Sequence, residues 1–195
     1  MGLTFYYKGK LRNPQQVDQL ISEVRDISIS MKWEYQVWPL KAFSEKEIIP
    51  PENHPNIYDL RGISVTPENC ESLSLTFLPD GRLISPVYFV LEKDKKPSGN
   101  DFLLFTKTQY AGVDTHLALM KLLIYLQQKY FAKLHVEDEG LYWETRDEKI
   151  LRETFQRYEV LIETVACALE GIQSSPDDTP ESIADKIERI LKEKF

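Results

Sequence analysis

Leu3, Phe5 and Tyr7 alternate with Thr4, Tyr6 and Lys8, the period of two that marks a half-buried strand. Asn13 followed by Pro14 is a helix start, a side-chain acceptor followed by a residue with preset φ and no N–H to satisfy. Val17, Leu20, Ile21, Val24 and Ile27 recur at helical spacing, so residues 14 to about 30 are predicted as an amphipathic helix. Trp33, Tyr35 and Val37 then alternate with Glu34, Gln36 and Trp38 as a second strand. From 42 to 60 the periodicity collapses among Pro50, Pro51, Asn53, Pro55 and Asn56, which predicts an irregular surface excursion carrying His54 as a solvated side chain.

Strand patterning resumes at Gly62–Thr66. It continues at Ser72–Phe77, where Leu73, Leu75 and Phe77 oppose Ser72, Ser74 and Thr76. Pro79-Asp80-Gly81 is a turn, with Leu83 onward and Tyr88–Leu91 as the returning strand, past Pro86 at an edge or bend. After a lysine turn at 93–100, Phe102–Thr106 reads as another strand. Asp114 is the expected N-cap of a helix whose Leu117, Leu119, Met120, Leu122, Leu123, Ile124, Leu126 and Tyr130 occupy most of its circumference, so it should be buried on several sides. Leu134 and Val136 form a short strand after it. Strand, helix and strand thus occur at 3–38 and again at 102–137.

Residues 147–172 carry Leu151, Phe155, Tyr158, Ile162, Val165, Leu169 and Ile172 in a heptad stripe, suited to core packing or to a homodimer. Cys167 beside that stripe reads as a small buried hydrophobe. A linker and a last amphipathic helix follow, with Thr179 and Pro180 as its start. The expectation is a single α+β domain at 1–173 with 174–195 as linker and appended helix. Its sheet would be predominantly antiparallel or mixed, of about six or seven strands backed by helices, in a TBP-like or helix-grip arrangement.

Charge narrows the partners. The chain carries 24 basic and 31 acidic side chains, net -7, and residues 147–195 hold 7 basic against 12 acidic. An acidic chain repels phosphate backbones, and the sequence shows no basic cluster beyond Lys93, Lys95 and Lys96, so no nucleic-acid partner is expected. No signal-peptide pattern or membrane span is read, and the two cysteines, Cys70 and Cys167, are far apart, which points to reduced thiols and a cytoplasmic location. No cofactor or metal site is expected: there is no Walker loop, G-x-G-x-x-G, G-x-S-x-G, EF-hand or H-E-x-x-H spacing.

Two groups of residues carry candidate chemistry. His116, His135, Glu137, Asp138, Glu139 and Glu144 place imidazoles and carboxylates close along the chain, as a hydrolytic and metal-assisted acid/base site would need, with His116, His135, Glu137 and Glu144 as its catalytic candidates. Solvated turns and helix-start charges explain much of the same segment. The second group follows from strand alternation, which would put Tyr6, Trp38, Ser74 and Thr76 on one open sheet face together with Thr4, Lys8, Glu34, Gln36, Ser64, Ser72, His135 and Glu137. The leading expectation is a non-enzymatic binding domain that engages a protein or small ligand through that face or through its acidic C-terminal helices.

Overall fold

The computed structural model describes residues 3–38, 60–88, 99–170 and 179–194. The 42–59 excursion with His54, the lysine turn at 93–98 and the linker at 174–178 lie outside them. Strands β1 (Thr4–Leu11), β2 (Glu34–Trp38), β3 (Arg61–Thr66), β4 (Leu73–Phe77), β5 (Leu104–Lys107) and β6 (Phe131–Asp138) alternate with helices α1 (Val17–Met31), α2 (Val113–Lys129), α3 (Tyr142–Thr145), α4 (Glu148–Glu170) and α5 (Pro180–Lys194). The class is α+β. No helix among the described residues is long and apolar enough to cross a membrane.

The six described strands do not make one sheet. They form two antiparallel sheets of three, ordered β5-β1-β6 and β2-β3-β4. The expected echo between the halves therefore has two different outcomes. β1 and β2, joined by α1, enter different sheets. β5 and β6, joined by α2, flank β1 and are each antiparallel to it, so they run parallel to each other with β1 between them. Parallel strands need a long crossover, and α2 supplies it.

The reason the sheet divides is visible on the outer edge of β4, where side chains stand in for a neighbouring strand. Thr106 Oγ1 donates to Ser72 O at 3.2 Å. The Tyr7 hydroxyl donates to Ser74 O and accepts from Ser74 N–H, both at 2.9 Å. Ile84 N–H donates to Thr76 O at 3.0 Å. Among the described residues the chain after the Pro79-Asp80-Gly81 turn makes only single bridges, Phe77 to Leu83 and Lys10 to Arg82, where a returning strand was expected; residues 89–91 of that strand lie outside the described ones. Leu83 N–H donates to Gly9 O and Leu11 N–H to Gly81 O, so this short segment stitches β4 to β1.

Local signals hold at most element ends. Asn13 Oδ1 accepts from Gln15 N–H at 3.0 Å and Pro14 opens a 3-10 turn that leads into α1. Asp114 is not the N-cap of α2. Gly112 precedes the helix, and the Asp114 carboxylate lies in the first turn, 2.8 Å from Arg152 of α4. The inner faces of both sheets, α1 and α2 share one core that includes Leu3, Phe5, Tyr7, Leu20, Val24, Leu75, Leu119, Met120 and Leu123. α4 joins it only at its start. Leu151 and Phe155 are buried, Ile162 is 37% exposed, and Cys167, expected inside, is exposed because the helix has left the core by then. α5 lies against α4.

Removing only the Tyr7 hydroxyl tests the seam. Tyr7→Phe leaves the Ser74 N–H and C=O without that partner, so urea unfolding should show a loss of about 1–3 kcal/mol with unchanged far-ultraviolet dichroism. A change within experimental error would mean that the Tyr7 hydroxyl does not hold the seam.

Candidate functional site

The outer face of the β2-β3-β4 sheet is floored with hydroxyls. Register places Gln36, Ser64 and Ser74 in one row and Glu34, Thr66 and Ser72 in the next. Trp38 Nε1 donates to Ser64 Oγ at 3.1 Å, Ser64 Oγ lies 3.1 Å from Ser74 Oγ, and Thr66 Oγ1 lies 2.7 Å from Ser72 Oγ. Each hydroxyl pair owns two protons, and their mutual contact uses one. Each pair therefore keeps one donor for a ligand. A groove of about 430 Å³ opens above these rows, with Trp38 at one end and Pro86 and Val87 on its rim. Val87 is 55% exposed. Glu34 brings the single carboxylate among the lining residues.

Of the residues assigned to one open face by alternation, Trp38 and Ser74 meet here. Thr76 does not join them. Its side chain is fully buried and donates to Ile84 O at 2.5 Å, because the segment after the turn folds over that end of β4. Tyr6 lies on the other sheet, its ring 6.3 Å from Phe105. Splitting the sheet splits the predicted face.

The catalytic candidates separate in the same way. His135 Nε2 is 2.9 Å from Glu137 Oε1 on the solvent side of β6, where both side chains are more than half exposed. Glu144 is exposed on α3, its Oε1 3.4 Å from Asp138 N–H. His116 points the opposite way and is completely buried. Its ring is gripped edge-on by Phe5 and Phe155, at centroid distances of 5.8 and 5.5 Å.

What His116 meets instead is Thr108 and Asp138. Thr108 Oγ1 lies 2.7 Å from Nδ1 and Asp138 Oδ1 lies 3.0 Å from Nε2. The Nε2 contact is close without the alignment of a directed ring N–H hydrogen bond. Asp138 also accepts from Gly140 N–H at 2.8 Å and Trp143 N–H at 3.0 Å. Gly140 is required by close approach: a Cβ there would stand 2.7 Å from Leu151 Cδ1 and 2.9 Å from His116 Nε2. Hydroxyl, imidazole and carboxylate in line resemble a nucleophile relay, yet Thr108 and His116 are fully buried and Asp138 is 5% exposed. No substrate reaches them. The cluster ties the start of α2 to the ends of β5 and β6.

Asp138 was legible as an acid in a dense acidic stretch; Thr108 carried no signal, since its partner His116 is set by the crossover and not by spacing. Cys70 is likewise no nucleophile: burial, with the Glu71 charge beside it, pushes its thiol up to about 12. Among the described residues no three His, Cys, Asp or Glu side chains group as metal ligands. No known protein family, curated protein or solved structure matches this chain.

Burial alone would raise the Asp138 carboxyl, but the His116 contact and the Trp143 and Gly140 N–H groups outweigh it and hold it below its ordinary value. A carboxyl depressed in the folded state stabilises fully above its unfolded pKa, about 3.9, and loses that contribution as pH falls through the folded value. Asp138→Asn should therefore lose on the order of 3 kcal/mol at neutral pH. The difference between variant and parent in urea midpoint should narrow below about pH 4. A difference that is constant with pH would remove the carboxylate from this role.

Proposed function

We propose that the chain is a non-enzymatic binding domain that takes an extended segment of a protein partner along β2 and into the hydroxyl-floored groove. The observation that carries this reading is the Trp38–Ser64–Ser74 chain, which fixes an aromatic body beside unspent hydroxyl donors in an open groove. Among the described residues β2 pairs only with β3, so its other edge offers backbone N–H and C=O groups to an added strand. Alternate partner side chains would then reach the floor, where amide, hydroxyl and indole suit polar uncharged groups and the Pro86–Val87 rim suits an apolar one. A helix-grip comparison adds nothing to this, because fold analogy alone carries no function.

The hydrolytic alternative loses support from geometry. The groove lining holds no imidazole, His116 is sealed in the core, and the His135–Glu137 pair stands exposed on a flat strand face. A second interaction surface retains some: Val160 is 55% exposed and Ile162 37% on α4, so a homodimer through that helix is a secondary reading, which a monomer mass in light scattering would remove.

Panning unstructured peptides against the full chain tests the groove. Binders should shift the amide resonances of β2, Ser64 and Ser74. Trp38→Ala should weaken them about tenfold or more while Tyr6→Ala leaves them unchanged. Binders indifferent to Trp38→Ala would overturn the assignment.

A further inference from the structure

The outer face of the other sheet collects positive charge that the sequence hides. Lys8 and Lys10 alternate on β1, and register sets Lys10 directly opposite Lys133 and Lys8 opposite His135 on β6. All four side chains are exposed. Among the described residues Lys8, Lys10 and Lys133 have no acidic partner, whereas seven other Lys and Arg side chains, from Arg25 to Arg152, have carboxylates within 4.0 Å. Like charges directly opposite on a ladder destabilise it. A chain of net -7 has carboxylates to spare, yet the one placed here, Glu137 opposite Tyr6, is bonded to His135 and pairs with none of the three lysines. That repulsion applies to Lys10 and Lys133, which no carboxylate within 4.0 Å relieves among the described residues, and it suits a ligand of opposite charge.

The next row of the same face sets two rings, Phe105 and Tyr6, beside Glu137. Tyr6 pairs with Phe105 across the β1–β5 ladder, and Phe105 is 57% exposed, an area a folded chain gains nothing by leaving in water. Lysines and rings, Phe105 exposed and Tyr6 half-buried, thus lie within two residues of each other along β1, on a sheet face that the described residues do not wall in. That combination matches a single-stranded nucleic acid, whose phosphates need cations and whose unstacked bases need flat apolar partners. An acidic polypeptide would satisfy the lysines and leave the rings idle.

We propose that the β5-β1-β6 face binds single-stranded nucleic acid, with Lys8, Lys10 and Lys133 on the phosphates and Tyr6 and Phe105 under the bases. The site is separate from the groove and does not depend on it. The overall negative charge is no obstacle at this distance scale: screening confines each charge to about 8 Å at physiological ionic strength, and the acidic excess resides in residues 147–195.

Fluorescence anisotropy on the full chain with labelled ten-residue oligouridylate and oligothymidylate is the test, with polyglutamate of matched length and a short duplex as competitors. Both single strands should bind, and if one binds the backbone sugar is read as well. Raising salt from about 50 to 200 mM should weaken binding on the order of fifteenfold for three phosphate contacts. Replacing Lys8, Lys10 and Lys133 together by Ala should flatten that dependence, and Phe105→Ala should cost about tenfold or more. The lysine variant should also be at least as heat-stable as the parent, since it relieves repulsion, so loss of binding would not reflect unfolding. No binding up to about 100 µM at low salt would overturn the proposal. So would equal competition by polyglutamate together with indifference to Phe105→Ala, which would assign the face to an acidic protein.

Discussion

The hydroxyl of Tyr7 does the work of a missing strand. Its side chain is fully buried between the sheets, and burial pushes its ionisation far above the ordinary phenol range, so it stays protonated as donor and acceptor at once. It spends both capacities on the backbone of Ser74. A buried strand edge left unpaired would cost several orphaned polar groups. Tyr7 and Thr106 satisfy that edge with side chains, so the two sheets join without a continuous ladder. The same contact fixes Ser74, whose Oγ forms the floor of the groove. Core and groove share one residue pair.

Most elements were legible in the sequence because their signals are local. Alternation marked β1, β2, β3 and β4, and Asn13-Pro14 marked the entry to α1. The partition of strands was not legible, for it depends on contacts such as Tyr7 to Ser74, 67 residues apart, that leave no periodic trace. Thr76 illustrates the limit. By alternation it belongs with Ser74, and only the fold-back of Ile84 buries it. His116 illustrates the converse. Its position in the first turn of α2 was evident, but whether it faced solvent or core was decided by where the crossover docks, and Phe5 and Phe155 close over it.

The grouping of charge across strands was not legible for a related reason. A search along the chain finds cations where they are consecutive, as at Lys93, Lys95 and Lys96. A sheet assembles them from alternate positions on one strand and from a strand more than 120 residues away, as with Lys10 and Lys133. Net charge averages these away. What a ligand meets is the field within a screening length of one face, and on this protein the faces differ in kind.

The strand that joins the lysine-bearing face to the core is β1. Its odd positions, Leu3, Phe5 and Tyr7, enter the core and hold the seam, while its even positions, Tyr6, Lys8 and Lys10, face outward. Because the side-chain period is two, a slip of one residue would expose the first set and bury the lysines. The register is therefore held from both sides: by burial of three large side chains and a two-fold hydrogen bond to Ser74 within, and by ladders to β5 and β6 at either edge. Such over-determination lets the outer face carry repelling lysines and an exposed ring without shifting. A strand less firmly held would relax the repulsion by moving. This one cannot, so the charge stays where it is displayed.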